Sequence, residues 1–73
     1  MINRLIADLR KQKGISQHEL SRQTGINQGT ISLIEAEKTS PTSEVIVKLA
    51  RFFSVSTDYL LGLVDEFGNE IKK

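Results

Sequence analysis

The feature that most limits what this chain can fold into is the three-residue stretch Gly25-Ile26-Asn27, where two helical segments meet. The upstream segment opens on Ser16-Gln17-His18-Glu19. There the Ser16 hydroxyl is expected to cap the first turn while Glu19 reaches back, the two halves of a capping box. That helix turns Leu20 and Thr24 inward and stops at Gly25. The downstream helix is capped by Asn27 and is expected over 28–37. So short a turn cannot lay two helices antiparallel in full contact, so the pair must cross steeply with Ile26 plugging the angle. The inner faces are then buried by the rest of the chain, and the outer face of the second helix is left for a partner.

The remaining sequence supplies that cover. Ile2, Leu5, Ile6 and Leu9 recur at i, i+3, i+4 and i+7, an amphipathic helix over 2–13. Arg10, Lys11 and Lys13 suit its negative end, and Gly14 suits its C-cap. Lys38-Thr39-Ser40-Pro41 reads as a loop, with Pro41 and Thr42 opening a fourth helix. The stripe of that helix is Val45, Ile46, Leu49, Ala50 and Phe53. Ser56 caps a fifth helix over 57–61, ended by Gly62. No stretch alternates apolar and polar residues like a strand. The expected fold is all-α, a compact bundle of five short helices over 2–62. A tail over 63–73 follows, with a Gly68-Asn69 turn signal; it is expected to be weakly ordered or to contact a dimer partner.

Composition narrows the function classes. The chain has 73 residues, enough for one domain, and a core this small gains from a partner. It has no cysteine, which excludes a disulfide framework and a thiolate metal site. Its single histidine, His18, has no companion for a metal site, and no strand-turn-helix context supports a Ser-His-Asp triad. Neither an enzyme, a cofactor nor a small-molecule ligand is indicated. No apolar run approaches a membrane span, and Asn3, Arg4 and Asp8 interrupt any signal-peptide pattern. A cytoplasmic location is the default expectation. The net charge of +1 is a weak footprint for a nucleic-acid binder.

The third helix tells more than the charge does. Thr30, Ile31 and Ile34 share one face, while Gln28, Gly29, Ser32, Leu33 and Ala36 share the opposite one. An outward face with no charge and one long polar side chain is unusual for a solvated helix. It suits the second helix of a pair that is placed in a major groove.

The segment from Ser16 to Glu35 resembles the helix-turn-helix of the phage repressor and Cro family. The likeness continues through Pro41, Lys48-Leu49-Ala50 and the segment Val55 to Gly62, about residues 2–62 in all. The resemblance implies a lambda-repressor-like DNA-binding fold. It also implies a sequence-specific regulator of transcription, a repressor that binds a palindromic double-stranded operator as a homodimer. Gln28, Gly29, Ser32 and Leu33 match its base-reading positions; an amide pairs with adenine N6 and N7, and an apolar side chain meets a thymine methyl. Gln17, Asn27, Thr30, Lys38 and Thr39 are assigned to phosphates, with Arg22 beside the groove and His18 able to approach one. Arg10 and Glu35 match a pair that forms an internal salt bridge, and the family's dimer region falls on Val55, Thr57, Asp58, Tyr59, Leu63 and Val64, with Phe67 a further apolar candidate.

The chain also departs from the family pattern. Ser21 stands where alanine is common, for which only a small adjustment is expected. Glu35-Ala36-Glu37-Lys38 replaces a frequent glycine after the third helix. Leu33 is apolar where polar or basic residues are common, and Gly29 offers no side chain. Two other readings stay open on sequence alone: an antitoxin or restriction-system controller with a second protein partner, and a protein-interaction module without DNA binding.

Overall fold

The computed structural model describes residues 2–63, 65, 69 and 70. Val64 and Phe67 lie outside the described residues. The elements in chain order are α1 (Ile2–Gln12), α2 (Gln17–Thr24), α3 (Gln28–Glu35), α4 (Ser43–Phe53) and α5 (Thr57–Leu60), all helices.

Short polar side chains start these helices. The Ser16, Thr42 and Ser56 hydroxyls accept from the backbone N–H of Glu19, Val45 and Tyr59 at 3.0, 3.3 and 3.0 Å. The Asn27 Oδ1 accepts from Gly29 N at 2.8 Å. Each satisfies a first-turn donor that has no partner within its helix. Two expectations need correction here. Glu19 does not complete a capping box: its carboxylate is taken by Arg22 and Gln23, one turn on, and the charge-assisted bond from the guanidinium outcompetes a backbone N–H. Pro41 and Thr42 do not open α4 as helical residues. Thr42 is its N-cap, with extended backbone (φ −73°, ψ 165°), and Pro41 precedes the cap.

Backbone turns stop the helices. In α1, α3, α4 and α5 a residue just past the end adopts or adjoins a left-handed turn, and paired backbone bonds close it. For α3 these are Glu37 N to Ile34 O at 3.0 Å and Lys38 N to Leu33 O at 2.9 Å, a Schellman motif. Gly14 and Gly62 occupy the left-handed position after α1 and α5, but Glu37 (φ 60°) and Ser54 (φ 56°) occupy it after α3 and α4. The expected extent of the third helix, to residue 37, is therefore too long. Glu37 turns left-handed, Ala36 is the cap, and the last helical residue is Glu35. The fifth helix likewise ends one residue early, at Leu60, with Leu61 as cap.

The core is Ile6, Leu20, Ile26, Ile31, Ile34, Leu49, Ala50, Phe53 and Leu60, with no buried polar residue among those described. Ile2, Leu5, Leu9, Val45 and Ile46 pack around it half-buried, as the stripes on α1 and α4 predict. Phe52 joins them too, edge-on to Phe53 (centroids 5.1 Å apart) and beneath the Lys13 ammonium at 5.1 Å. The position of α3 follows from its neighbours. It packs against α2 on one side and α1 on the other, while α5 sits against α4 and α1. No helix among the described residues is long and apolar enough to cross a membrane.

Candidate nucleic-acid interface

The α2–α3 joint is closed by its own side chains. Gly25 (φ 77°) donates its N–H to Ser21 O at 2.9 Å. The Thr24 hydroxyl donates to Leu20 O at 2.7 Å and accepts from Ile26 N at 3.2 Å. Ser21 also donates its hydroxyl to the Ile26 carbonyl, so this serine adds a bond across the turn that an alanine could not make. Ile26 is buried in the angle between the helices.

With the joint fixed, α3 has two unlike faces. Ile31 and Ile34 are buried at 1% exposure each. Gln28, Gly29, Ser32, Leu33 and Ala36 are all exposed, Leu33 to 47%. Thr30 lies at the margin, half-buried. Gly29 has a steric reason to be small, because a Cβ there would stand 3.0 Å from the capping oxygen of Asn27. The base-reading set assigned from sequence therefore forms one continuous exposed surface.

A polar knot holds α3 from behind. The Arg10 guanidinium clamps Glu35 through Nε–Oε2 at 2.7 Å and Nη2–Oε1 at 2.8 Å, and donates from Nη1 to Ile15 O at 2.8 Å. Gln17 donates from Nε2 to Glu35 Oε1 at 3.0 Å. The paired side chains are only 13% and 8% exposed. Burial pushes the Glu35 carboxyl up, but the bonds from Arg10 and Gln17 and the nearby Arg10 and Lys11 charges outweigh it, leaving it below the ordinary carboxylate range. The Arg10 guanidinium is raised in turn, first by its bond to Glu35. The knot ties α1, α2 and α3 together and keeps one cation and one anion off the outer surface.

A further clamp has no signal in the sequence. The Asn3 side-chain amide donates to Ile34 O at 2.9 Å and to Thr39 O at 2.8 Å. It thus joins α1 both to the end of α3 and to the loop that carries exposed Lys38 and Thr39. Only the spatial meeting of positions 31 and 36 residues apart reveals it.

The other residues assigned to phosphates are placed as follows. Gln17 is half-buried and committed to Glu35 through its amide nitrogen. Asn27 uses its oxygen as the α3 cap. Arg22 is exposed and bonded to Glu19, whose carboxyl is held at about 2 by hydrogen bonds from Arg22 and then Gln23. His18, at the start of α2, lies with Nδ1 3.3 Å from Gln28 Oε1. A second group gathers on and around α5: Val55, Thr57 and Tyr59 are half-buried, and Asp58 and Leu63 are exposed. Leu61, which sequence reasoning did not single out for an interface, is 50% exposed beside Leu63 at 54%.

Two helices locked at a three-residue turn, with the second showing an uncharged and exposed face, define a helix-turn-helix protein. Residues 6–60 match the helix-turn-helix family, and the chain belongs to it. Among its relatives is the HTH-type transcriptional regulator YobD of Bacillus subtilis, 36% identical over 61 residues that span 84% of this chain and 54% of that protein. The HTH-type transcriptional regulator ImmR of the same organism is 30% identical over 84% of this chain and 48% of its own length. An HTH-type transcriptional regulator of Archaeoglobus fulgidus is 31% identical over 84% of this chain and 87% of its own. The chain thus spans about half the length of the two Bacillus relatives. The family is one of DNA-binding regulators of transcription rather than of enzymes.

Proposed function

We propose that this chain binds double-stranded DNA sequence-specifically, with α3 in the major groove, and represses transcription as a homodimer on a palindromic operator. The observation that carries this reading is the outer face of α3, exposed and free of charge yet anchored by the knot behind it. On this reading Gln28 pairs through its amide with adenine, and Leu33 packs on a thymine methyl. Ser32 and the backbone at Gly29 approach neighbouring base edges. Lys38 and Thr39, held by Asn3, meet phosphates, as do the rims at Gln17, Arg22, Asn27 and Thr30.

One such headpiece makes few phosphate contacts, so pairing is needed for useful affinity. Exposed Leu61 and Leu63, together with half-buried Tyr59 and Val55, are the apolar side chains offered to a second copy. Two copies would read half-sites about one DNA turn, ~34 Å, apart.

The test is selection of bound duplexes from a random pool, followed by titration of the selected operator. Gln28→Ala should weaken specific binding by ~1–3 kcal/mol and relax preference at one base pair. An unchanged operator preference overturns the role of Gln28. No binding to any duplex at low salt overturns the DNA reading as a whole and favours a protein-interaction module.

A further inference from the structure

We infer that His18 is a positioning residue for base reading: its imidazole fixes the orientation of the Gln28 side-chain amide, and so sets how sharply Gln28 distinguishes adenine from guanine. The inference rests on α3 being the DNA-reading helix. Gln28 is the first residue of α3, and its exposed side chain would otherwise be free to rotate and to turn its amide over. The neighbouring amide, Gln17, is already committed to Glu35 and does not restrain it. His18 does, with Nδ1 3.3 Å from Gln28 Oε1. A carbonyl oxygen only accepts, so the contact requires the proton on Nδ1.

In that state the amide keeps both hydrogens on Nε2 and one lone pair on Oε1. Adenine offers an acceptor at N7 beside a donor at N6, whereas guanine offers acceptors at both N7 and O6. An amide of fixed orientation shows one donor and one acceptor side by side, which fits adenine and sets oxygen against oxygen on guanine. A released amide can swing its oxygen off the base edge and offer its NH2 group alone to the guanine acceptors. Ordering the side chain before binding also lowers the entropy lost on the DNA. Loss of His18 should therefore appear as lost discrimination, not as a uniform loss of affinity.

The experiment uses the full chain and exposed-site variants: His18→Ala, His18→Asn and His18→Gln, each with and without Gln28→Ala. Two readouts are taken. One is the NMR signal of the Gln28 side-chain NH2 in the free protein. The other is the affinity ratio between the selected operator and the same duplex with guanine in place of the adenine at the Gln28 position. His18→Ala should move the NH2 signal and lower the ratio about threefold to tenfold. Asparagine, whose Nδ2 falls where the histidine Nδ1 lies, should restore both, and glutamine should not. In the Gln28→Ala background His18→Ala should leave the ratio where it is. A uniform, salt-sensitive weakening on both duplexes, additive with Gln28→Ala, would place His18 on a phosphate and overturn the inference. So would an unmoved NH2 signal. If Gln28→Ala alone leaves the ratio unchanged, the base-reading role of Gln28 fails, and the free-protein signal still reports separately whether the two side chains are joined.

Discussion

At the scale of single residues, Glu35 carries the clearest energetic consequence. Its carboxylate is almost enclosed and is held ionised by Arg10 and Gln17. Its folded-state pKa lies below the ordinary value, so its contribution is fully present above the unfolded pKa and is lost as pH falls through the folded one. Urea melts should show wild-type stability declining on acidification, and Glu35→Gln should flatten that decline. At neutral pH the same substitution leaves the Arg10 guanidinium without its counter-charge, held by the Ile15 carbonyl and the amide oxygen, and should cost ~1–3 kcal/mol. A variant that melts like wild type at both pH values would show that the knot contributes nothing. Lys38→Ala should leave the base preference intact, weaken binding to all duplexes alike and reduce the salt slope by ~1, as titrations across salt concentrations would show.

At the scale of elements, starts were easier to read than ends. Ser16, Asn27 and Ser56 announce helix starts because a short polar side chain bonds its own first turn, a contact that depends on neighbours in sequence alone. Gly14, Gly25 and Gly62 announce ends for a similar local reason. The left-handed backbone at Glu37 and Ser54 was not legible, since neither residue type signals it; the paired bonds of the Schellman turn impose it. A side chain in that region costs ~1–2 kcal/mol, partly offset by the greater entropy glycine loses on folding. Glu37→Gly and Ser54→Gly should therefore each stabilise by ~0.5–1 kcal/mol, raising Tm by up to ~8 °C. A drop in Tm would mean that these side chains make contacts worth more than the strain. Ser21 was legible only as a tolerated substitution; its bond to Ile26 O depends on the tightness of a turn that sequence could name but not measure.

At the scale of the whole molecule, the Arg10–Glu35 pair was implied by the family resemblance, but the Asn3 clamp had no counterpart in the sequence reading. The amphipathic stripes on α1 and α4 foretold which side chains would be buried, because burial follows helical period. Asn3 reads as an ordinary polar residue until α1 is laid across the end of α3. Asn3→Ala removes the amide donor from two carbonyls, of which Ile34 O keeps its bond from Glu37 N and Thr39 O is open to water, and should cost about 1 kcal/mol, seen as a lower Tm. If the chain acts as a pair, the salt dependence of binding to a full palindrome should be about twice as steep as to one half-site. Equal slopes would indicate a single copy on each site. The residues that hold α3 (Ile31, Ile34, Glu35 and the turns at both ends) are not the residues it displays. That separation makes the displayed face an exchangeable cassette. On the proposed reading, mutational drift or deliberate grafting at Ser32 and Leu33 would rewrite which DNA is chosen while folding is untouched, and Gly29, pressed against the Asn27 cap, is a position where a new specificity would have to be reconciled with the scaffold.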